Sequence, residues 1–96
     1  MTVARFARFH VEPANVDEMI SKRAALIAAI RDRFPGLTEA RLARLDERTW
    51  VDVWRWESTA DLQRALRGGP TVPEAPAVFA LAQELTTEDA EIVDER

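Results

Sequence analysis

The segment that most constrains this chain is Trp50-Val51-Asp52-Val53-Trp54-Arg55-Trp56, which holds all three tryptophans and runs straight into the helix start Glu57-Ser58-Thr59-Ala60-Asp61. Its β-branched and aromatic content predicts a strand, in which residues two apart point the same way. Trp50, Asp52, Trp54 and Trp56 then share one face, and Val51 and Val53 the other. Both faces want cover. The helices that the rest of the chain can form cover only one, so the second face is expected to be a self-association surface or a pocket.

Those helices are legible from spacing and punctuation. Val3 to Val11 alternates as a first strand, with Phe9 and Val11 on one face and Phe6 and His10 on the other. After Glu12-Pro13-Ala14, Asn15 is placed to cap a helix, with Glu18 reaching back as a capping box. Val16, Met19, Ile20, Ile27, Ile30 and Phe34 recur at helical spacing in a stripe that Arg23 interrupts, and Pro35-Gly36 ends the helix. Thr38 to Leu45 and the tryptophan strand form a hairpin around the polar turn Asp46-Glu47-Arg48. Ser58 caps a second helix with Asp61 three residues on, Leu62 and Leu66 form its buried edge, and Gly68-Gly69-Pro70 stops it. Helical spacing resumes from Ala77 to Leu85, and Ala90 to Val93 supplies the last strand.

The order β-α-β-β-α-β is the split βαβ arrangement of ferredoxin-like α+β folds. Right-handed crossovers make strands one and three the antiparallel centre of a four-stranded sheet with both helices on one face. Burying a large aromatic removes about 150–250 Å² from water, an upper estimate of roughly 4–6 kcal/mol. With Phe6, Trp54 and Trp56 expected on the bare face, packing sheet against sheet in a homodimer recovers several such contributions and can enclose a cavity. Residues 1–96 are expected to form one domain, since a chain of 96 residues with 47% hydrophobic and 31% charged residues is ordinary for a single globular unit.

Composition excludes several functions. With no cysteine there is neither a disulfide nor thiol catalysis, and one histidine with scattered carboxylates makes no metal set. A net charge of −4 argues against a nucleic-acid partner, including for an RNA-binding module of the same topology. The start Met1-Thr2-Val3-Ala4-Arg5 lacks a signal-peptide core, and no apolar run approaches the roughly 20 residues that cross a bilayer. A cytoplasmic protein without a membrane partner is expected.

Arg8-Phe9-His10-Val11-Glu12-Pro13, the amphipathic first helix, Phe34-Pro35-Gly36-Leu37 and above all Trp54-Arg55-Trp56-Glu57-Ser58 resemble the antibiotic biosynthesis monooxygenase family of dimeric α/β barrels, over about residues 3 to 93. The resemblance implies a homodimeric α/β barrel and a cofactor-independent monooxygenase acting on a small planar aromatic, a quinol or polyketide-like compound. Haem-degrading members use an Asn, a Trp and a His; the positions here fall at Arg8, about Ala65 and about Ala75, which disfavours haem. Tyrosine, used by some polyketide-oxidising members, is absent.

The candidate catalytic residues are His10, Arg8 and Asp52. Histidine is the residue type that most simply serves as a general base near neutrality, although a lone strand-end histidine is more often structural. Arg8, on the face of Phe6 and His10, either holds a substrate anion through its guanidinium fork or pairs with Asp52 across strands one and three. Phe6, Trp54 and Trp56 are the candidate substrate-binding walls, with core or dimer interface as the plainer reading, and Trp50 could simply face solvent. Two other readings remain open: a noncatalytic small-ligand carrier, and a structural dimer without a pocket.

Overall fold

The computed structural model describes all 96 residues. Strand β1 spans Val3–His10, helix α1 Val16–Arg33, β2 Leu37–Arg44, β3 Thr49–Trp56, α2 Thr59–Gly68, α3 Ala75–Phe79 and β4 Gln83–Glu91. The antiparallel sheet has the order β2-β3-β1-β4, so the tryptophan strand and the first strand are the central pair. This is the expected ferredoxin-like α+β arrangement, with a short third helix between α2 and the last strand.

Local chemistry explains most boundaries. Ser58 is extended and its side chain accepts from the backbone N–H of Asp61, which places the start of α2. Asp46 shapes the β2–β3 turn by accepting from the N–H groups of Arg48 at 2.9 Å and Thr49 at 2.8 Å, bonds that hold its carboxyl below the usual aspartate range. Gly36 ends the α1 connection at φ +112°, where a Cβ would lie 2.6 Å from Cγ of Asp61. A Cβ on Gly68 would run into the Phe34 ring, so both ends of α2 close on the segment that follows α1.

Three sequence expectations need correction here. Asn15 makes no side-chain cap; the chain enters α1 through a 3₁₀ turn at Pro13–Asn15, in which the N–H of Asn15 donates to the carbonyl of Glu12 at 2.8 Å. Helical structure ends at Phe79 rather than Leu85, and β4 starts at Gln83 rather than Ala90. Every residue of β4 is exposed, so the strand carries no inward apolar alternation that would announce it. Ile20 and Leu66, expected in the core, are exposed.

Register decides the larger correction. Directly opposed residues of an antiparallel pair share a face, and Val3 opposes Trp56, Arg5 Trp54, Ala7 Asp52 and Phe9 Trp50. That is the face the helices cover. Trp50 and Trp56 are buried at 6% and 2% exposure, so Trp50 does not face solvent. The bare face instead carries Phe6, Arg8 and His10 beside Val53, Val51 and Thr49. Phe6 is thus on the opposite side of the sheet from Trp54 and Trp56.

The core forms two clusters. One packs Trp56 and Val3 with Leu26, Ile30 and Leu62; the other packs Trp50 and Phe9 with Met19 and Val11. Asp52, midway along β3 between these tryptophans, falls between them.

Candidate active site

A cavity of about 250 Å³ lies between the sheet and the helices, bordered by members of both core clusters. Its walls are mainly apolar: Trp54 and Trp56 from β3, Leu26 from α1, Leu62 from α2, and Val78 and Phe79 from α3. Ligand pockets combine such walls with a few placed polar groups. Here those groups are Asp52, Arg23 and Arg5, with Thr87 of β4 as a further polar residue.

Asp52 is buried at 7% exposure and faces Arg23 of α1. Nε of Arg23 donates to one carboxylate oxygen at 2.8 Å and Nη2 to the other at 2.9 Å, with both side chains nearly withdrawn from solvent. A planar guanidinium fork matches a carboxylate in this bidentate way. Arg5 makes the same arrangement with Asp89 of β4, both bonds 2.9 Å, at a more open position. The cavity therefore holds two guanidinium groups, each matched to a carboxylate. Nε1 of Trp56 is buried without a hydrogen-bond partner, an unsatisfied N–H in a residue of the cavity wall.

Of the six sequence candidates, Asp52, Trp54 and Trp56 border this cavity, and His10, Arg8 and Phe6 do not. The expected Arg8–Asp52 pair does not form: Arg8 opposes Val51, on the other face, and Asp52 takes Arg23. His10 sits at the edge of the bare face, its Nδ1 2.7 Å from a carboxylate oxygen of Glu84, a residue at φ +53°. No group of three His, Cys, Asp or Glu side chains is gathered to hold a metal ion, and no helix is long and apolar enough to cross a membrane.

Arg23, Arg5 and Asp89 were missed as site residues. Arg23 carried a signal, since it breaks the apolar stripe of α1 on the side that faces the sheet. Asp89 carried none, because it depends on the register of a strand that the sequence pattern does not reveal.

No family model matches this chain, and no curated protein matches it. Solved structures do. SnoaB, a cofactor-independent oxygenase from Streptomyces nogalater, superposes with a TM-score of 0.74 at 24% identity, covering 98% of this chain and 95% of that one. A protein from Caulobacter crescentus, provisionally described as an antibiotic biosynthesis monooxygenase, gives a TM-score of 0.79 at 19% identity, covering 97% and 91%. Rv0793 from Mycobacterium tuberculosis gives 0.75 at 21% identity, covering 99% and 98%. At these identities the likeness shows the fold: the chain shares the architecture of the antibiotic biosynthesis monooxygenase structures, as its sequence resemblance implies.

Proposed function

We propose that residues 1–96 form one functional domain, a cofactor-independent monooxygenase acting on a small planar aromatic such as a quinol or a polyketide-like intermediate. The observation that carries this reading is an apolar cavity bordered by two indoles and holding a buried, charge-balanced Arg23–Asp52 pair, on a fold shared with a cofactor-independent oxygenase.

The aromatic ring lies against Trp54 and Trp56, since indoles offer large flat apolar contact. A ring hydroxyl donates to Asp52, whose ionised oxygens retain acceptor capacity beyond the two bonds from Arg23. The N–H groups of Arg23 not engaged with Asp52 favour negative charge as the hydroxyl proton leaves. The electron-rich ring then reduces dioxygen, a C–O bond forms, and the hydroperoxide loses water to leave a carbonyl. One oxygen atom stays in the product and the other leaves as water; the ring supplies the electrons. The general-base role given to His10 in the sequence reading passes to Asp52, because His10 is not part of the cavity.

We also propose a homodimer joined through the bare face of the sheet. Phe6 is 39% exposed there, and Val51 and Val53 are only half covered. Capping that face with a second copy removes these side chains from water.

Oxygen uptake with a panel of quinols and hydroxyarenes, run with a chelator present, tests the enzyme reading. Uptake by the native chain that Asp52→Asn abolishes supports it. Binding of the same compounds without uptake would make the protein a carrier and overturn the oxygenase.

A further inference from the structure

Each charged group of the cavity wall is matched by a partner of opposite charge. Arg23 engages both oxygens of Asp52, and Arg5 both oxygens of Asp89, through Nε and Nη2 in each case. No guanidinium is left unmatched to attract an anion, and no carboxylate is left to attract a cation. From this balance we infer that the site selects neutral hydroxyarenes and rejects aromatic carboxylates of the same shape, with Asp52 as the specificity-determining residue. The inference rests on the cavity being the aromatic-binding site and deepens that reading.

A carboxylate entering an apolar site loses its hydration, and that loss is recovered only where a positive partner stands free. Here the better-buried guanidinium is already occupied, and the carboxylate that occupies it would repel the newcomer. A neutral hydroxyl meets neither obstacle. It donates to Asp52, whose oxygens keep acceptor capacity beyond the two bonds from Arg23.

Size selects the probe. An apolar cavity of about 150 Å³ admits benzene, so the 250 Å³ here takes a second fused ring. 2-Naphthol and 2-naphthoate have nearly the same outline. At pH 7 the first is neutral and the second ionised, by the ordinary ranges of phenols and carboxylic acids. Two of the three tryptophans border the cavity, so fluorescence quenching reports occupancy.

The experiment is a titration of the whole chain with each probe, with calorimetry as a second readout. The native protein is expected to bind 2-naphthol at least about tenfold more tightly than 2-naphthoate, the factor that about 1.4 kcal/mol produces. Asp52→Asn keeps a hydrogen-bonding side chain beside Arg23 and frees its charge, and is expected to bring 2-naphthoate level with 2-naphthol or above it. Should that variant fail to fold, Arg23→Met with Asp52→Leu removes both charges together and is expected to retain the preference for 2-naphthol. Equal or tighter binding of 2-naphthoate by the native protein would overturn the inference while leaving the aromatic site intact. A preference unchanged by Asp52→Asn would do the same. Binding of neither probe would overturn the aromatic site and the selectivity together.

Discussion

The two faces of one sheet share the same strands and differ in almost everything else. The helix-covered face holds Trp50, Trp54, Trp56, Phe9 and a buried ion pair; the bare face holds Phe6, Arg8, His10, Val51, Val53 and Arg55, half-buried or exposed. On the covered face each side chain has protein to pack against, so its loss leaves a hole or an unmatched charge. On the bare face of a single chain the same loss leaves water. Energetic weight and the candidate site therefore lie together on one side, and association on the other.

Substitutions on the two faces should differ widely in cost. Trp56→Ala is expected to cost about 3–5 kcal/mol, the range for removing a buried large aromatic, whereas Arg8→Met, made in the Phe6→Asp chain so that the bare face is open to water, should stay within about 0.5 kcal/mol, as exposed substitutions do. Urea denaturation midpoints measure both, and similar costs would mean that the faces have been exchanged.

Arg23→Met comes close behind. It strands the carboxylate of Asp52, and breaking a buried pair in this way costs about 3–5 kcal/mol. Adding Asp52→Leu should return much of that loss, giving a coupling energy between the two sites, while a cycle of Asp52→Leu with Arg8→Met should show none.

Phe6→Asp probes the bare face. It should leave secondary structure unchanged by circular dichroism and shift the mass seen by light scattering at micromolar concentration from two chains to one. A native protein that already scatters as one chain would remove the dimer.

The smallest effect lies in the turn. The carboxyl of Asp46 is held below its ordinary value of 3.8 chiefly by the N–H of Arg48, and that of Glu39 below 4.5 chiefly by the hydrogen bond from Arg41. Groups with depressed folded values stabilise above their unfolded values and lose that contribution as pH falls through the folded ones. Asp46→Asn should therefore lower the unfolding midpoint slightly at pH 7 and converge with the native protein below about pH 3.8.

Punctuation and parity made half of this molecule legible in its sequence. The Ser58 cap, the Pro35-Gly36 stop and the grouping of Trp50, Asp52, Trp54 and Trp56 on one face are local facts, decided within a few residues. What parity does not decide is which side of the sheet a face belongs to. That depends on register against β1, where Ala7 rather than Arg8 opposes Asp52, and one residue of offset moves every partner across the sheet. The same gap hid Arg23, legible as an interruption of a stripe but not as the partner of Asp52. It hid all of β4 before Ala90, because a strand exposed on both sides has no period to read.

The two close approaches around α2 bear on how this sequence can vary. Position 36 combines a positive φ with a neighbour at 2.6 Å, and position 68 is filled by the Phe34 ring, whereas a Cβ at position 69 meets nothing within 4 Å. Of three glycines in the chain, one is closed to substitution, one is crowded by a side chain and one is open, although Gly68 and Gly69 stand side by side in the sequence. Random mutagenesis selected for folded protein should return glycine alone at 36, replacements at 68 only where the Phe34 ring moves aside, and alanine freely at 69. The narrow tolerance falls where α2 is clamped in place, so the helix that walls the cavity is fixed by two residues that have no side chain.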